Sequence, residues 1–479
     1  MHTNVPAIHI IEIVRALLAE AGFLARHRTT PKAFTRQRKL PFNRVVLLVL
    51  QKTLKSLQLH LHEFFERLAD GAPGSAATPG AWTQARAKLR HSAFIELNAL
   101  AVLAPLEAVP EALARWQGHR LLAFDSSLLR LPASPEVWEH FGGQEAANQS
   151  GPCGVCIPPT GPEPAEGQAR LSVLYDVLNR LGLDTALCGF ATGEVALATG
   201  QPFRQAQGPE PAEGLGALHA GDLTLIDRGY AGCEFFAQIV ARGAHFVGRC
   251  PRRSFAMVAE LFAREEAGVS ETVTLKAPAS ALAAGLPAQM QVRFVTVRLS
   301  TGELEVLATS LLNEERYPAG CFLELYGRGG GRDKRGSVDG RAQRWGIETY
   351  YGALKGRLEL ENFSGQTLEA ILQDVHAAVF LSNLESVIAV EAAAALPKAG
   401  EDGRRHAVQI NRAVSFHALK SRAIELLLGP APVEEVLGEL RALFLANPVS
   451  VRPHRRPPRR APSPLRSHHF QKRVRKIVF

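Results

Sequence analysis

The sequence predicts an α/β protein in which a mixed sheet is flanked by helical regions at both ends. Two features near the middle of the chain carry this. Leu171–Asn179 and Leu183–Phe190 are apolar runs joined by Asn179-Arg180-Leu181-Gly182, the pattern of an antiparallel hairpin. Leu223–Ile226, Cys233–Arg242 and His245–Arg249 then read as a strand, a helix and a strand. Antiparallel strands followed by a strand–helix–strand unit indicate a mixed sheet rather than a doubly wound parallel one. At the two ends, apolar residues recur every three and four positions, the helical period.

The flanking elements follow in order. Ile8–Leu24 and Val45–Leu68 read as helices, the second opened by Pro41. Between Arg26 and Lys55 stand nine Lys/Arg and no acid. Such a run is commonly a solvated face, and one this one-sided also suits phosphates. Thr78 and Pro79 cap and start a helix over Gly80–Leu89 whose exposed side is expected to carry Gln84, Arg86, Lys88 and Arg90. This is a weak match to the second helix of a helix-turn-helix. Strands begin near residue 119 with Leu121–Phe124, and a β-rich stretch holds Glu271–Lys276, Gln291–Leu299 and Leu304–Thr309. Thr367–Ala395 is a long apolar helix; Asn383 and Glu385 make it a packed helix rather than a membrane span. Helices near 416–428 and 433–446 close the folded part.

Composition narrows the class. Hydrophobic residues make up 46% and charged residues 21% of the 479, as in a globular protein with sizeable cores and roughly three domains. The net charge of +9 is local: residues 451–479 hold ten Lys/Arg and no acid, which leaves −1 for the rest. That distribution suits contact with a polyanion. Six scattered cysteines are no disulfide framework, and the lone Cys153/Cys156 CxxC lacks the partners of a zinc site. The N-terminus lacks a signal-peptide layout and the apolar runs are short, so a cytoplasmic, reduced protein is expected. The heptapeptide Gly161–Gly167, GPEPAEG, recurs identically as Gly208–Gly214. With nothing to bury beyond Ala, both copies read as inserted surface segments.

Three carboxylates stand out by position. Asp125 and Asp227 each end a short apolar strand. Glu348 lies on a helix that sets Arg344, Glu348, Tyr351 and Lys355 on nearly one face. Alone, that stripe reads as a solvated charged face. Beside two strand-end aspartates, it offers a third oxygen ligand. Three hard oxygen ligands suit Mg²⁺, with Mn²⁺ as the alternative, and two such ions about 4 Å apart serve in-line displacement at a phosphodiester. Asp176 and Asp184 are competing carboxylates on strands. His245 and His376, on apolar faces, read as core histidines, and Trp345 as core packing. Arg228 and Tyr230 read as structural or phosphate-facing, with neither favoured. A glycosidase using Asp125 and Asp227 as an acid/base pair lacks an aromatic sugar platform and leaves the tail unexplained.

These motifs resemble the DDE transposases of bacterial insertion sequences, in the branch with the signature tyrosine, two residues, arginine, three residues, glutamate, six residues, lysine. Arg344, Glu348 and Lys355 fit that spacing, Asp227-Arg228-Gly229-Tyr230 fits the second-aspartate motif, and Phe124-Asp125-Ser126-Ser127 resembles the first. The likeness runs from about residue 30 to the end. It implies a ribonuclease-H-like domain split by a β insertion. The division would be 1–115 DNA-binding helices, 116–250 and 321–395 the catalytic domain, 251–320 the insertion, 396–450 C-terminal helices and 451–479 a basic disordered tail. It implies a Mg²⁺-dependent enzyme, nucleoid-associated on DNA, that frees a 3′-OH at the element's ends and joins it to target DNA. Such enzymes work as homodimers on paired double-stranded ends. Asp125, Asp227 and Glu348 would be catalytic and hold the metal; Arg344, Lys355 and Tyr326 would contact DNA phosphates. One departure stands out. The signature tyrosine's position holds Arg341, while Leu325-Tyr326-Gly327 looks like the start of the motif, displaced by an inserted segment within 328–343. An impaired relative that binds transposon ends without cutting them is the alternative function.

Overall fold

The computed structural model describes residues 5–36, 38–52, 55–68, 76–142, 167–193, 195, 198, 214–299, 301–326, 346–397 and 406–451. These fall into two compact units, Leu113–Ala353, and Met1–Ala112 together with Leu354–Phe479. Cys153 and Cys156, both heptapeptides up to their final glycine, the segment 328–343, Arg344, Trp345 and the tail lie outside the described residues.

The unit Leu113–Ala353 is built on one mixed sheet. Its strands are β1 (Leu121–Arg130), β2 (Gln168–Asp176), β3 (Leu181–Gly189), β4 (Leu223–Ile226), β5 (His245–Arg249), β6 (Ser270–Lys276), β7 (Gln289–Arg298) and β8 (Leu304–Thr309). They lie in the order β3-β2-β1-β4-β5-β8-β7-β6. β1, β4 and β5 run parallel and every other neighbouring pair is antiparallel. The mixed α/β expectation is met, and the β-rich stretch continues the same sheet through the β5–β8 pair.

The hairpin forms as β2–β3. Asp176 closes its turn by accepting from the Asn179 backbone N–H at 3.0 Å, and Arg120 Nε donates to its other oxygen at 2.8 Å. Both Asp176 and Arg120 are buried, so this carboxylate is spent on structure. Strand alternation sorts the two faces of the sheet. Leu122, Phe124, Leu174, Ile226, Phe246, Phe294 and Val306 belong to one apolar cluster, with Phe235 and Phe236 of the helix Cys233–Val240 packed among them.

The other unit is helical. Thr78 caps the helix Pro79–Arg86 as expected, its hydroxyl accepting from Ala81 N–H at 3.2 Å. Three expectations change. The run Ile8–Leu24 divides at Glu20, whose backbone is extended, into Ala7–Ala19 and Ala21–His27. The run Val45–Leu68 divides into Phe42–Leu50 and Leu57–Arg67. That break lets Gln51 Nε2 donate to Lys420 O at 3.0 Å and Lys52 Nζ to Leu360 O at 3.3 Å. Arg86, expected on an exposed face, is buried. It donates to Asp374 Oδ1 at 2.8 Å, Gln373 Oε1 at 2.8 Å and Ser364 Oγ at 2.7 Å.

The long helix spans Leu368–Ala393, with Thr367 as its cap. By length and composition it could cross a membrane, yet most of it is buried against its neighbours. Two of its buried polar residues are paired there: Asn383 donates to Asn98 Oδ1 at 2.7 Å and Glu385 pairs with Arg412 at 2.7 Å.

Candidate active site

Strand register brings two of the three carboxylates level. β1 and β4 pair in parallel as Leu121↔Leu223, Leu122↔Thr224 and Ala123↔Leu225. Asp125 and Asp227 each follow two residues after that last pair. Phe124 and Ile226 face the apolar cluster, so the residues after them face the other way, as alternation requires. Both aspartates therefore stand on the same face of the sheet. Asp227 directly follows the end of β4, but Asp125 lies in the middle of β1, which does not end there as expected and runs on to Arg130 because β2 continues to pair with it. The Asp227 side chain is 39% exposed.

Glu348 is carried on the helix Gly346–Gly356, which lies on that same face. Tyr350 stacks on Tyr175 with ring centroids 4.4 Å apart, and Tyr175 pairs across the sheet with Ala123. Tyr351 is buried, and its hydroxyl donates to the backbone carbonyl of Asp125 at 2.7 Å. Burial, then the neighbouring Asp125 charge, raises that phenol well above its ordinary pKa, so it stays a donor. Gly346 permits the close seat: a Cβ there would meet Val177 Cγ1 at 2.8 Å. Glu348, one turn before Tyr351, is exposed.

Lys355 lies two turns after Glu348 on the helix face and pairs with Glu361 at 3.6 Å. Arg344 lies outside the described residues. Tyr326 stands elsewhere than a phosphate contact would: it is buried, and its hydroxyl accepts from Ile226 N–H at 3.1 Å and donates to Ile226 O at 3.0 Å and to Val247 O. The Tyr326 hydroxyl thus bridges β4 and β5, one residue short of Asp227.

Sequence reasoning missed two residues beside Asp227. β4 and β5 pair in parallel through Ile226↔Gly248, which sets Asp227 level with Arg249. The Arg249 guanidinium lies 3.8 Å from Asp227 Oδ1 and pairs with Glu305 of β8. Arg228 also donates to Glu305 Oε1, at 2.7 Å, and lies 3.6 Å from the exposed Glu303. Burial of Arg249 opposes its charge most strongly of any one cause, but the Glu305 bond together with the charges of Glu305 and Asp227 turns the net shift upward. Glu305 has no solvent exposure. An acid in a β-rich stretch gives no local sign of this role, because its partners come from two other strand ends.

The donors are all carboxylate oxygens, the kind Mg²⁺ and Mn²⁺ take. Among the described residues, no three His, Cys, Asp or Glu side chains are gathered closely enough to hold an ion. Among the other singled-out residues, Tyr230 is buried. His245 Nδ1 lies 3.3 Å from Ser310 Oγ, and His376 stacks on His91 at 5.5 Å between centroids.

No protein-family model matches the chain, and no curated protein matches it. Among solved structures, the chain is similar to the piggyBac transposase synaptic complex with hairpin DNA. The TM-score is 0.38 and the identity 10%, over 91% of this chain and 86% of that one.

Proposed function

We propose that this protein is a metal-dependent DNA transposase of the DDE type, acting on double-stranded transposon ends and target DNA as a homodimer. The observation that supports it most directly is the parallel β1–β4 register, which sets Asp125 within β1 and Asp227 just past β4 at one level on one face. The strand order β3-β2-β1-β4-β5, with β2 antiparallel to β1, agrees with a ribonuclease-H-like reading of the sheet, and β6–β8 with a β insertion before the glutamate helix.

In this reading Asp125, Asp227 and Glu348 would hold Mg²⁺ or Mn²⁺. When bound, a pair of such ions activates an attacking hydroxyl and neutralises the leaving oxygen of a phosphodiester. The chain's own part is positional. Tyr351 ties the glutamate helix to the Asp125 backbone, and Glu348 lies one turn before it on the same helix. Arg344 and Lys355 would grip phosphates near the scissile bond; Lys355 would exchange Glu361 for one.

The test is cleavage of a labelled duplex carrying the inverted repeats that flank the gene, in Mg²⁺. The parent is expected to cut, and Asp125→Asn, Asp227→Asn and Glu348→Gln each to bind without cutting. A parent that does not cut, or a Glu348→Gln variant that cuts undiminished, defeats the reading. A second reading, binding of transposon ends without cleavage, is favoured by one observation: the three carboxylates are not gathered among the described residues. Tight, salt-sensitive binding by a non-cutting parent would select it.

A further inference from the structure

Two basic segments, distant in sequence, lie side by side in the helical unit. The backbone is extended at Arg28, which bridges to Leu89. Thr29 N–H donates to Lys88 O at 2.9 Å, and Arg90 N–H to His27 O at 2.8 Å. The bridge sets the acid-free run after Arg26 beside the end of the helix Pro79–Arg86. Beyond it the chain turns at Thr30–Ala33, and Phe34 packs on Phe42 with ring centroids 5.5 Å apart. Lys32, Arg36, Arg38, Lys39 and Arg90 are exposed and Lys88 is half-buried. Among the described residues, none of these six side chains is engaged in a hydrogen bond or ion pair. The acids along this edge are already taken. Glu96 pairs with Arg26 at 2.6 Å and His27 at 2.8 Å, and Glu369 with His91 at 3.0 Å. Cations held together without counter-charges suit a polyanion.

The surroundings of the cations choose among polyanions. Phe23, Phe42 and Trp82 are buried, and Phe34 meets Phe42 edge-on. These rings are packed away and leave no platform for the unstacked bases of a single strand. Among the described residues, no large hydrophobic side chain is exposed within 26–44 or 78–90 to enter a lipid surface. The helix Pro79–Arg86 also has little to offer base edges. Arg86 is buried on Asp374, Gln373 and Ser364, and Thr83 Oγ1 donates to Pro79 O at 3.1 Å, which leaves Gln84. We propose that the 28–39 segment and Lys88–Arg90 form one surface that holds the phosphate backbone of double-stranded DNA without reading its sequence. The inference rests on the proposed binding of double-stranded DNA and is independent of cleavage. Contacts of this kind position a duplex and carry no sequence information directly.

The experiment is electrophoretic titration of the full chain with short duplexes of several unrelated sequences, none carrying the inverted repeats, at several salt concentrations. Lys32→Gln, Arg36→Gln and Arg90→Gln are combined in one variant. It is expected to lower the log–log salt slope by about 0.9 for each cation removed, and to weaken every duplex by one common factor of about ten or more. A control variant combining Arg242→Gln, Arg264→Gln and Lys276→Gln, exposed cations of the other unit, removes the same charge and is expected to keep the parent's slope. If the first variant does not fold, Lys32→Gln and Arg90→Gln singly carry the test, each expected to lower the slope by about 0.9. Gln84→Ala is expected to leave the ranking of the duplexes unchanged. An unchanged slope in the patch variants, an equal fall in the control, a loss confined to one sequence or a new ranking in Gln84→Ala overturns the proposal. So does a patch variant that loses single strands or anionic vesicles while keeping duplexes. A parent that binds duplexes but does not cut them defeats the enzymatic reading and leaves this one standing.

Discussion

Tyr351 shows how much one phenol decides. Its hydroxyl serves the Asp125 carbonyl at 2.7 Å and lies 3.3 Å from the Leu171 carbonyl. Tyr351→Phe keeps the ring packing and strands the carbonyls. We expect a loss of about 1–3 kcal/mol in urea unfolding and slower cleavage with little change in DNA binding. His376 supplies a pH dependence. Burial, then the neighbouring His91, pushes its pKa down to about 3 from 6.5. The unfolded chain takes up that proton as pH falls through 6.5, while the folded chain resists until about 3. The unfolded state therefore binds more protons across this window, and stability falls on acidification. Urea midpoints measured at pH 7 and pH 4.5 should differ in that sense, and the difference should shrink in His376→Gln. Both residues were legible in part: Tyr351 by its helical spacing from Glu348, His376 by its apolar neighbours. Neither spacing nor neighbours could reveal the carbonyl or the imidazole each one meets.

At the level of elements, the sequence announced those whose causes are local. The Thr78-Pro79 start, the β2–β3 hairpin and the long helix depend on neighbouring residues, and each formed, the hairpin with its turn at 177–180, two residues earlier than read. The readings that changed depend on distant partners. Arg86 looked exposed by helical period, yet Asp374, far along the chain, draws it inward. The interruption after Leu50 likewise serves Lys420 and Leu360, which no window around it contains. The Arg86–Asp374 pair gives a direct test. Arg86→Met leaves Asp374 buried with Lys52 at 3.9 Å and the hydrogen bonds from Ser364. Breaking a buried pair from one side costs about 3–5 kcal/mol, so the melting temperature should drop by many degrees. The additional variant Asp374→Asn should recover part of it.

Over the whole molecule, charge and chemistry occupy different parts of the chain. Residues 451–479 carry ten cations and no acid, and the rest has a formal charge of −1. Deleting 452–479 should weaken DNA binding and flatten its dependence on salt, because every phosphate the tail no longer neutralises lowers the log–log slope by about 0.9. Electrophoretic titrations at several salt concentrations would measure this, and an unchanged slope would show that the tail does not meet phosphate. The candidate site was legible in part: Asp125 and Asp227 could be named from the apolar runs before them. Only Asp227 follows a strand end, since the pairing with β2 that carries β1 on to Arg130 is set by a distant partner. The Arg228–Glu305–Arg249 cluster could not be named, because it exists only where β4, β5 and β8 lie side by side.

The register that levels Asp125 with Asp227 also says where the gene can change length. A one-residue insertion or deletion inside β1 or β4 would turn one aspartate to the opposite face and shift it by about 3.3 Å. Two residues would restore the face but leave the carboxylates about 6.6 Å out of step. Segments between strands are under no such rule, since pairing and not loop length sets the level. Both copies of GPEPAEG fall between strands in sequence. Excising either heptapeptide, or doubling it, should leave the spacing of the two aspartates as it is, whereas one codon removed from Leu223–Ile226 should not.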